Sequence, residues 1–270
     1  MKTEIHNLFR WFVQEREWIR EHKEQGAAYP WTKDERLANY WFPNIRRMDD
    51  PTTVWLHGGL LRYLDGLPES QILAAVAFRL FGSQETGEAF APVFFGSGFW
   101  HEGFLESVGP LERPFNTRLQ RHHRSLNLES VMATLGALHA ENGRWHLLRG
   151  ASLREASRAL RDVPGIGPEL AYEIVCDLRR TPVLQSAPDA RSWALPGRSA
   201  TEAAGALLGR DLRSTRQADR QATIELMQDL LIESQAEFPD WEMSEIHRGL
   251  TMFHFWTRDK RPTRRYKCTT

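Results

Sequence analysis

Val163-Pro164-Gly165-Ile166-Gly167-Pro168-Glu169-Leu170 separates two stretches whose apolar residues recur at helical spacing, 152–162 and 169–180. Gly165 and Gly167 permit positive φ and let the backbone approach another molecule closely. Pro168 suits the first position of a helix, where its missing N–H costs nothing. Amides at that helix start point outward as an anion site, which fits a phosphate. Two readings are open: a hairpin that holds nucleic-acid backbone without reading bases, or a plain tight turn, since Pro-Gly-x-Gly serves both. The flanking apolar spacing favours the first.

Outward from this turn the pattern stays helical. Ile5, Leu8, Phe9, Phe12 and Ile19 share one helix face, and Gly26 supplies a stop. Trp31-Thr32-Lys33-Asp34 reads as a cap before a helix containing Leu37, Tyr40 and Trp41. Helices are expected over 52–64 and 69–81, the second ended by Gly82. The Gly-, Pro- and Phe-rich stretch 82–127 is the least regular, with short helices expected over 85–90 and 117–124. Leu128, Val131, Met132, Leu135 and Leu138 restore a helix before the hairpin. An irregular segment follows over 181–198, then helices over 200–208, 214–236 and 244–257, and a basic extended tail. With no alternating strand pattern, the expected class is all-α. The expected organisation is one unit over 1–270, with lobes 1–127 and 128–270.

Composition narrows the function classes. At 41% hydrophobic and 26% charged residues, the 270-residue chain is globular, not disordered. A net charge of +0 argues against a sequence-independent DNA coat, while local basic patches remain able to contact phosphates. Cys176 and Cys268 form neither a metal spacing nor a disulfide framework, which points to a reducing, cytoplasmic setting. No apolar run approaches the roughly 20 residues that span a bilayer, so no membrane partner is expected. No GxxxxGK[ST] loop, GxSxG, HExxH or paired CxxC occurs.

Three constellations carry candidate chemistry. Asp189 lies 24 residues after Gly165. Helix-hairpin-helix DNA glycosylases place a catalytic aspartate at about this distance, facing an extruded nucleotide. Asp189-Ala190-Arg191-Ser192-Trp193 thus offers a carboxylate, a guanidinium and a stacking surface, or else a simple capped turn. Glu169 stands where strand-cleaving relatives of that type need a lysine, so Schiff-base chemistry is disfavoured. The second constellation is Trp31–Asp34 with Phe42, Asn44, Arg46, Arg47, Asp49 and Asp50. It reads equally as a pocket with phosphate-clamping arginines or as a salt-bridged helix end. The third is Glu173 and Asp177, four apart on one helix face; one of them can act as a base if buried beside an arginine, and Glu173 is favoured. Basic residues also cluster at 118–124, and in a tail where Arg258 to Lys267 interleave with Trp256 and Tyr266.

Trp31-Thr32-x-Asp34, Phe42-x-Asn44-x-x-Arg47-x-x-Asp50 and Pro-Gly-Ile-Gly-Pro-Glu-Leu-Ala-Tyr-Glu from Pro164 to Glu173 resemble the alpha-glutamyl/putrescinyl thymine pyrophosphorylases. These bacteriophage amino acid:DNA transferases are DNA-glycosylase-like, and the resemblance runs from Glu15 to Tyr266. Phage 5-hydroxymethyluracil DNA kinases look similar in the N-terminal motif. The resemblance implies a glycosylase-like helix-hairpin-helix fold with two lobes around a base-binding cleft. It also implies an enzyme, active in the infected host's cytoplasm, that displaces pyrophosphate from an activated base with an amine.

The implied partners are double-stranded DNA carrying a modified thymine and an amino acid or polyamine. In these roles Asp189, Glu173 and Asp34 are candidate bases, and Arg46, Arg47, Arg191 and Arg198 candidate pyrophosphate ligands. Trp31, Phe42, Asn44 and Trp193 are candidates for holding the base. Gly165, Ile166, Gly167 and Glu169 would contact DNA backbone. No cofactor is evident and no metal cage is visible, though Mg²⁺ can bind through one or two carboxylates plus phosphate. Where the relatives carry Gly-Pro-Gly-Ala, this chain has Leu195-Pro196-Gly197-Arg198-Ser199-Ala200, so Arg198 replaces a small residue. The alternatives are a hydrolytic glycosylase and a non-catalytic DNA-binding module.

Overall fold

A computed structural model of the chain describes residues 2–96, 101–116, 127–140 and 148–258. The helix expected over 117–124, the basic residues beside it and the tail beyond Arg258 lie outside the described residues. Helix accounts for 66% of the structure and no strand forms among the described residues, so the fold is all-α. In chain order the α-helices are α1 (Lys2–Glu24), α2 (Glu35–Asn39), α3 (Pro51–Trp55), α4 (Pro68–Phe81), α5 (Gln84–Gly96) and α6 (His101–Val108). There follow α7 (Leu128–Ala140), α8 (Leu153–Arg161), α9 (Pro168–Leu178), α10 (Arg198–Leu208), α11 (Gln217–Ser234) and α12 (Met243–Thr257).

The chain divides into two compact units. Met1–Asp50 with Ala194–Thr270 forms the first and Pro51–Trp193 the second, a partition different from lobes 1–127 and 128–270. In the first unit α1 packs on α10 and α12, and α11 on both of these. The helical spacing of Phe9 and Phe12 buries them against Phe253, at ring separations of 5.4 and 5.6 Å. Burying each such ring contributes roughly 1.5–3 kcal/mol.

The second unit is arranged around α4. Ile72 to Phe78 and Leu80 to Phe81 are all buried, and a helix apolar on every side belongs at the centre of its unit. It packs on α5, α7 and α9. The helix expected over 52–64 is less regular: α3 runs into a π-helical turn, Leu56–Leu60, and a 3-10 turn, Leu61–Leu64. Trp55 is packed closely against α5 at this point. A Cβ on Gly87 would lie 2.5 Å from the Trp55 ring, so only glycine leaves room for the indole there. In the stretch 82–127, α5 runs well past residue 90 and through Pro92. Stacking of Phe90 on Phe104 at 5.2 Å and of Phe81 on Phe115 at 4.9 Å outweighs the local helix-breaking tendency.

Two helices, α8 and α9, form on either side of a tight turn, as the spacing predicts. Gly165 has φ +89° and Gly167 has φ −78°, so the left-handed residue is Gly165 alone. Its α-carbon faces the Thr134 hydroxyl of α7 so closely that an added Cβ would collide with it. Asp177, on α9, has 0% exposure and meets Arg79 of α4 through two bonds of 2.6 and 2.8 Å. Arg79 also reaches Thr53 Oγ1 at 3.4 Å.

Two stability measurements check this account. Gly165→Ala is expected to cost at least about 1–2 kcal/mol in urea unfolding, from the left-handed φ plus the Thr134 clash. Gly167→Ala, in open space and at ordinary φ, should cost no more than about 1 kcal/mol; equal losses would refute the assignment. Arg79→Ala removes the two-pronged contact to a buried carboxylate and is expected to cost about 3–5 kcal/mol, against which a loss below about 1 kcal/mol would count.

Candidate functional site

The candidate residues fall into two sets, one in each unit. In the second unit, α8 begins with its early amides engaged. Ser152 Oγ accepts from the Glu155 amide at 3.2 Å, and the Glu155 carboxylate accepts in return from the Ser152 amide at 3.0 Å. The Ser152 amide and hydroxyl hold the Glu155 carboxyl below its usual range. Asp189 completes the cap from 36 residues away: its two oxygens accept from the Leu153 amide at 2.6 Å and the Arg154 amide at 3.0 Å. Both oxygens of the expected catalytic aspartate are therefore committed to a helix start, where backbone donors and the helix dipole favour a negative charge.

The Asp189 carbonyl accepts in turn from the Ser192 and Trp193 amides, at 3.0 and 2.8 Å. This tight turn leaves Arg191 exposed and Trp193 half-buried, edge-on to the buried Tyr172 at 5.6 Å. The second hairpin helix, α9, starts at Gly167 with no side-chain cap. Glu169 is exposed in its first turn and places a negative charge beside that opening, where a lysine would place a positive one. Ile166 is buried and anchors the turn. Of Glu173 and Asp177 on α9, the one buried beside an arginine is Asp177; the favoured Glu173 is half-buried.

Motif spacing does not single out Arg154, Arg158 and Arg161. They stand at i, i+4 and i+7 on α8, and Arg154, Arg158 and Arg161 together line one face that leads to the turn. Three guanidinium groups on one helical face suit a run of backbone phosphates. The signal that finds them is the burial pattern, since Leu153, Ala156 and Leu160 mark the opposite face as buried.

In the first unit the Trp31–Asp50 block takes the form of caps and ion pairs. Asp34 caps α2 by accepting from the Leu37 amide at 2.7 Å, and the same oxygen accepts from the Trp256 indole at 3.2 Å. Thr32 donates to Glu15. Asn44 donates to the Asp49 carbonyl at 2.7 Å, which makes it a clasp across its own turn. Phe42 is 2% exposed, with the Arg16 guanidinium 5.6 Å from its ring centroid, so the ring has no open face for a base. Trp31 is half-buried, carries the Lys23 ammonium 4.4 Å over its ring and meets Tyr29 edge-on. Burial, then Arg16, pushes the Lys23 amine down to about 8.

Arg46 pairs with Asp240 at 2.6 Å and Glu17 at 3.4 Å, and Arg20 with Glu17 and Asp49, each at 3.1 Å. Arg47 is buried, and Asp50 pairs with Arg248 at 2.9 Å. Of the pyrophosphate candidates here, Arg198 stands furthest into solvent; it opens α10 and pairs with Glu202 at 2.7 Å. Among the described residues no three His, Cys, Asp or Glu side chains are grouped to hold a metal ion. No helix among them is long and apolar enough to cross a membrane.

The model of the 5-hmdU DNA kinase helical domain matches residues 3–254. The chain belongs to that family. No curated protein and no solved structure matches it. The 5-hmdU DNA kinase helical-domain match is to one of the two groups whose motifs the sequence resembles. It spans both the Trp31–Asp50 block and the hairpin.

Within this domain, burial raises the Glu17 carboxyl, against the lowering effects of Arg20 and Arg46. A carboxyl raised on folding stabilises the fold below its ordinary 4.5, and that contribution is lost as pH rises through the raised value. Urea unfolding of the wild type and Glu17→Gln between about pH 4 and 7 should show the difference moving against the wild type as pH rises. A pH-independent difference would remove Glu17 as the source.

Proposed function

We propose that this chain acts in thymine hypermodification of phage DNA. It binds a duplex carrying a 5-hydroxymethyluracil-derived base and transfers an amine to the C5 methylene of the pyrophosphorylated base. The amine comes from an amino acid such as glycine, or from a polyamine. The amine nitrogen bonds to the methylene carbon, the carbon–oxygen bond to the pyrophosphoryl group breaks, and pyrophosphate departs with that electron pair. The ammonium formed gives its proton to a carboxylate. The family match over residues 3–254 supports the part in thymine hypermodification, and the amine transfer rests on the resemblance of the Trp31–Asp50 and Pro164–Glu173 motifs to the amino acid:DNA transferases.

The roles follow from how each side chain is held. The arginine face of α8 and the Gly165–Gly167 turn hold backbone phosphates, as the glycosylase-like helix-hairpin-helix reading requires. Extrusion of the base brings it to Trp193 and Arg191, a stacking surface and a guanidinium on one turn. Arg191 stabilises the departing pyrophosphate, whose charge grows as the bond breaks. Glu173 is the proposed base, because Asp34 and Asp189 already serve as helix caps.

A second reading has one observation in its favour, the family's own name: the chain presents 5-hydroxymethyluracil for phosphorylation, as the helical domain of a 5-hmdU DNA kinase. One experiment separates the readings. The chain is incubated with duplex bearing the pyrophosphorylated base plus glycine or putrescine, and separately with 5-hydroxymethyluracil duplex plus ATP; the nucleosides are then analysed by mass spectrometry. An amine adduct is the expected result, a phosphorylated nucleoside supports the second reading, and an abasic site would mean a hydrolytic glycosylase. Arg154→Ala/Arg158→Ala/Arg161→Ala should flatten the salt dependence of duplex binding, by about 0.9 in log–log slope for each phosphate no longer neutralised. An unchanged slope would take α8 out of the interface.

A further inference from the structure

Glu202, one turn into α10, is met by three cationic or protonatable groups. Arg198 Nε lies 2.7 Å from Oε1, Arg258 Nη1 lies 2.8 Å from Oε2, and His254 Nε2 lies 3.6 Å from Oε2. The hydrogen bond from Arg198 comes first, and the nearby Arg258, Arg198 and His254 add to it; together they hold the Glu202 carboxyl below its usual range. The exposures are ordered. The Arg198 and Arg258 side chains are 81% and 47% exposed, while Glu202 is 19% and His254 8% exposed. The guanidinium groups thus stand open to solvent above a carboxylate that is largely covered.

Two further features give the cluster a built character. Arg258 is held in place from behind, because Arg36 donates to its carbonyl. The cluster also sits at the start of α10, where Gly197 leaves the first turn without a side-chain cap. Among the described residues, the Glu202 carboxylate faces two permanent positive charges and an imidazole, a local surplus of positive charge. The cationic side of each arginine pair stands in solvent, where water weakens the attraction and lets the pair exchange. A phosphoryl group carries more charge than a carboxylate and more acceptor oxygens for two forked guanidinium groups.

We propose that Arg198, Arg258 and His254 form a phosphoryl-binding site whose resting occupant is the Glu202 carboxylate. An incoming phosphoryl group takes the two arginines and Glu202 swings aside. This rests on the reading of the chain as one that handles phosphorylated DNA, and it names residues that receive a phosphoryl group. The same chemistry is offered by two sources, the pyrophosphate released from an activated base and a phosphate of the DNA backbone.

The test measures binding of inorganic pyrophosphate by calorimetry, and of a 5-hydroxymethyluracil duplex by fluorescence anisotropy, on the full chain. Arg198→Ala/Arg258→Ala is expected to weaken binding about tenfold or more, the effect of removing charge-assisted bonds. Glu202→Gln, which removes the competing occupant, is expected to tighten it. Arg213→Ala, an exposed arginine paired with Asp211 in the same unit, is the control and should change neither affinity. Thermal melting of each variant verifies folding.

A loss confined to pyrophosphate supports the site and assigns it to the leaving group. A loss confined to the duplex, with a shallower salt slope, supports it and assigns it to the backbone. If the wild type binds both probes and the double variant binds them equally well, the phosphoryl site is overturned while the functional reading stands. If the wild type binds neither probe, both fall. Weaker binding by Glu202→Gln would overturn the exchange between carboxylate and phosphoryl group.

Discussion

A carboxylate that water does not reach has to be met by a cation inside the protein, and in the second unit that requirement falls on Asp177 and Arg79. Desolvating both charges is costly, and the two-pronged contact at 2.6 and 2.8 Å helps offset it. The pair sets α9 on α4, the helix buried on all sides, and so sets where the hairpin turn stands. From there one contact leads to the next. Gly165 rests on Thr134 of α7, and Asp189 reaches back to cap α8, which fixes the turn carrying Arg191 and Trp193. The aspartate singled out by its distance from the hairpin thus has a structural task, and the arginine face of α8 is presented by the helix it caps.

In the first unit electrostatics work differently, through networks near the surface. Glu17 stands between Arg20 and Arg46, yet its burial outweighs them and raises its carboxyl. The Trp31–Asp50 block carries the contacts of a salt-bridged helix end: Asn44 clasps its own turn, Arg46 is paired twice, and Phe42 is covered. Motif residues of this kind hold a backbone conformation as much as they expose a reactive group. That is a physical reason for a recognisable sequence block to contain few open side chains.

Most helices are legible because their signals are local. Gly82 closing α4, the Ser152–Glu155 capping box and the turn at Gly165 act over a few residues, so spacing and residue type suffice. The length of α5 is not legible at Pro92, where an aromatic cluster drawn from distant parts of the chain decides the outcome. Which of Glu173 and Asp177 is buried beside an arginine is not legible from sequence for the same reason. Both lie on one face of α9, and nothing within that helix says which of them meets Arg79, 98 residues earlier in the chain.

The sequence by itself settles the all-α class, the hairpin turn and a motif pattern close to the family found, since each depends on short-range spacing or on side chains met one after another. Tertiary structure alone decides which charged side chains are spoken for. Asp189 becomes a cap, Asp177 a buried counter-ion and Glu202 the meeting point of two arginines and a histidine only when remote segments are brought together. An ionised group's role depends on its solvation and its partner across space, and neither is written in its neighbours along the chain.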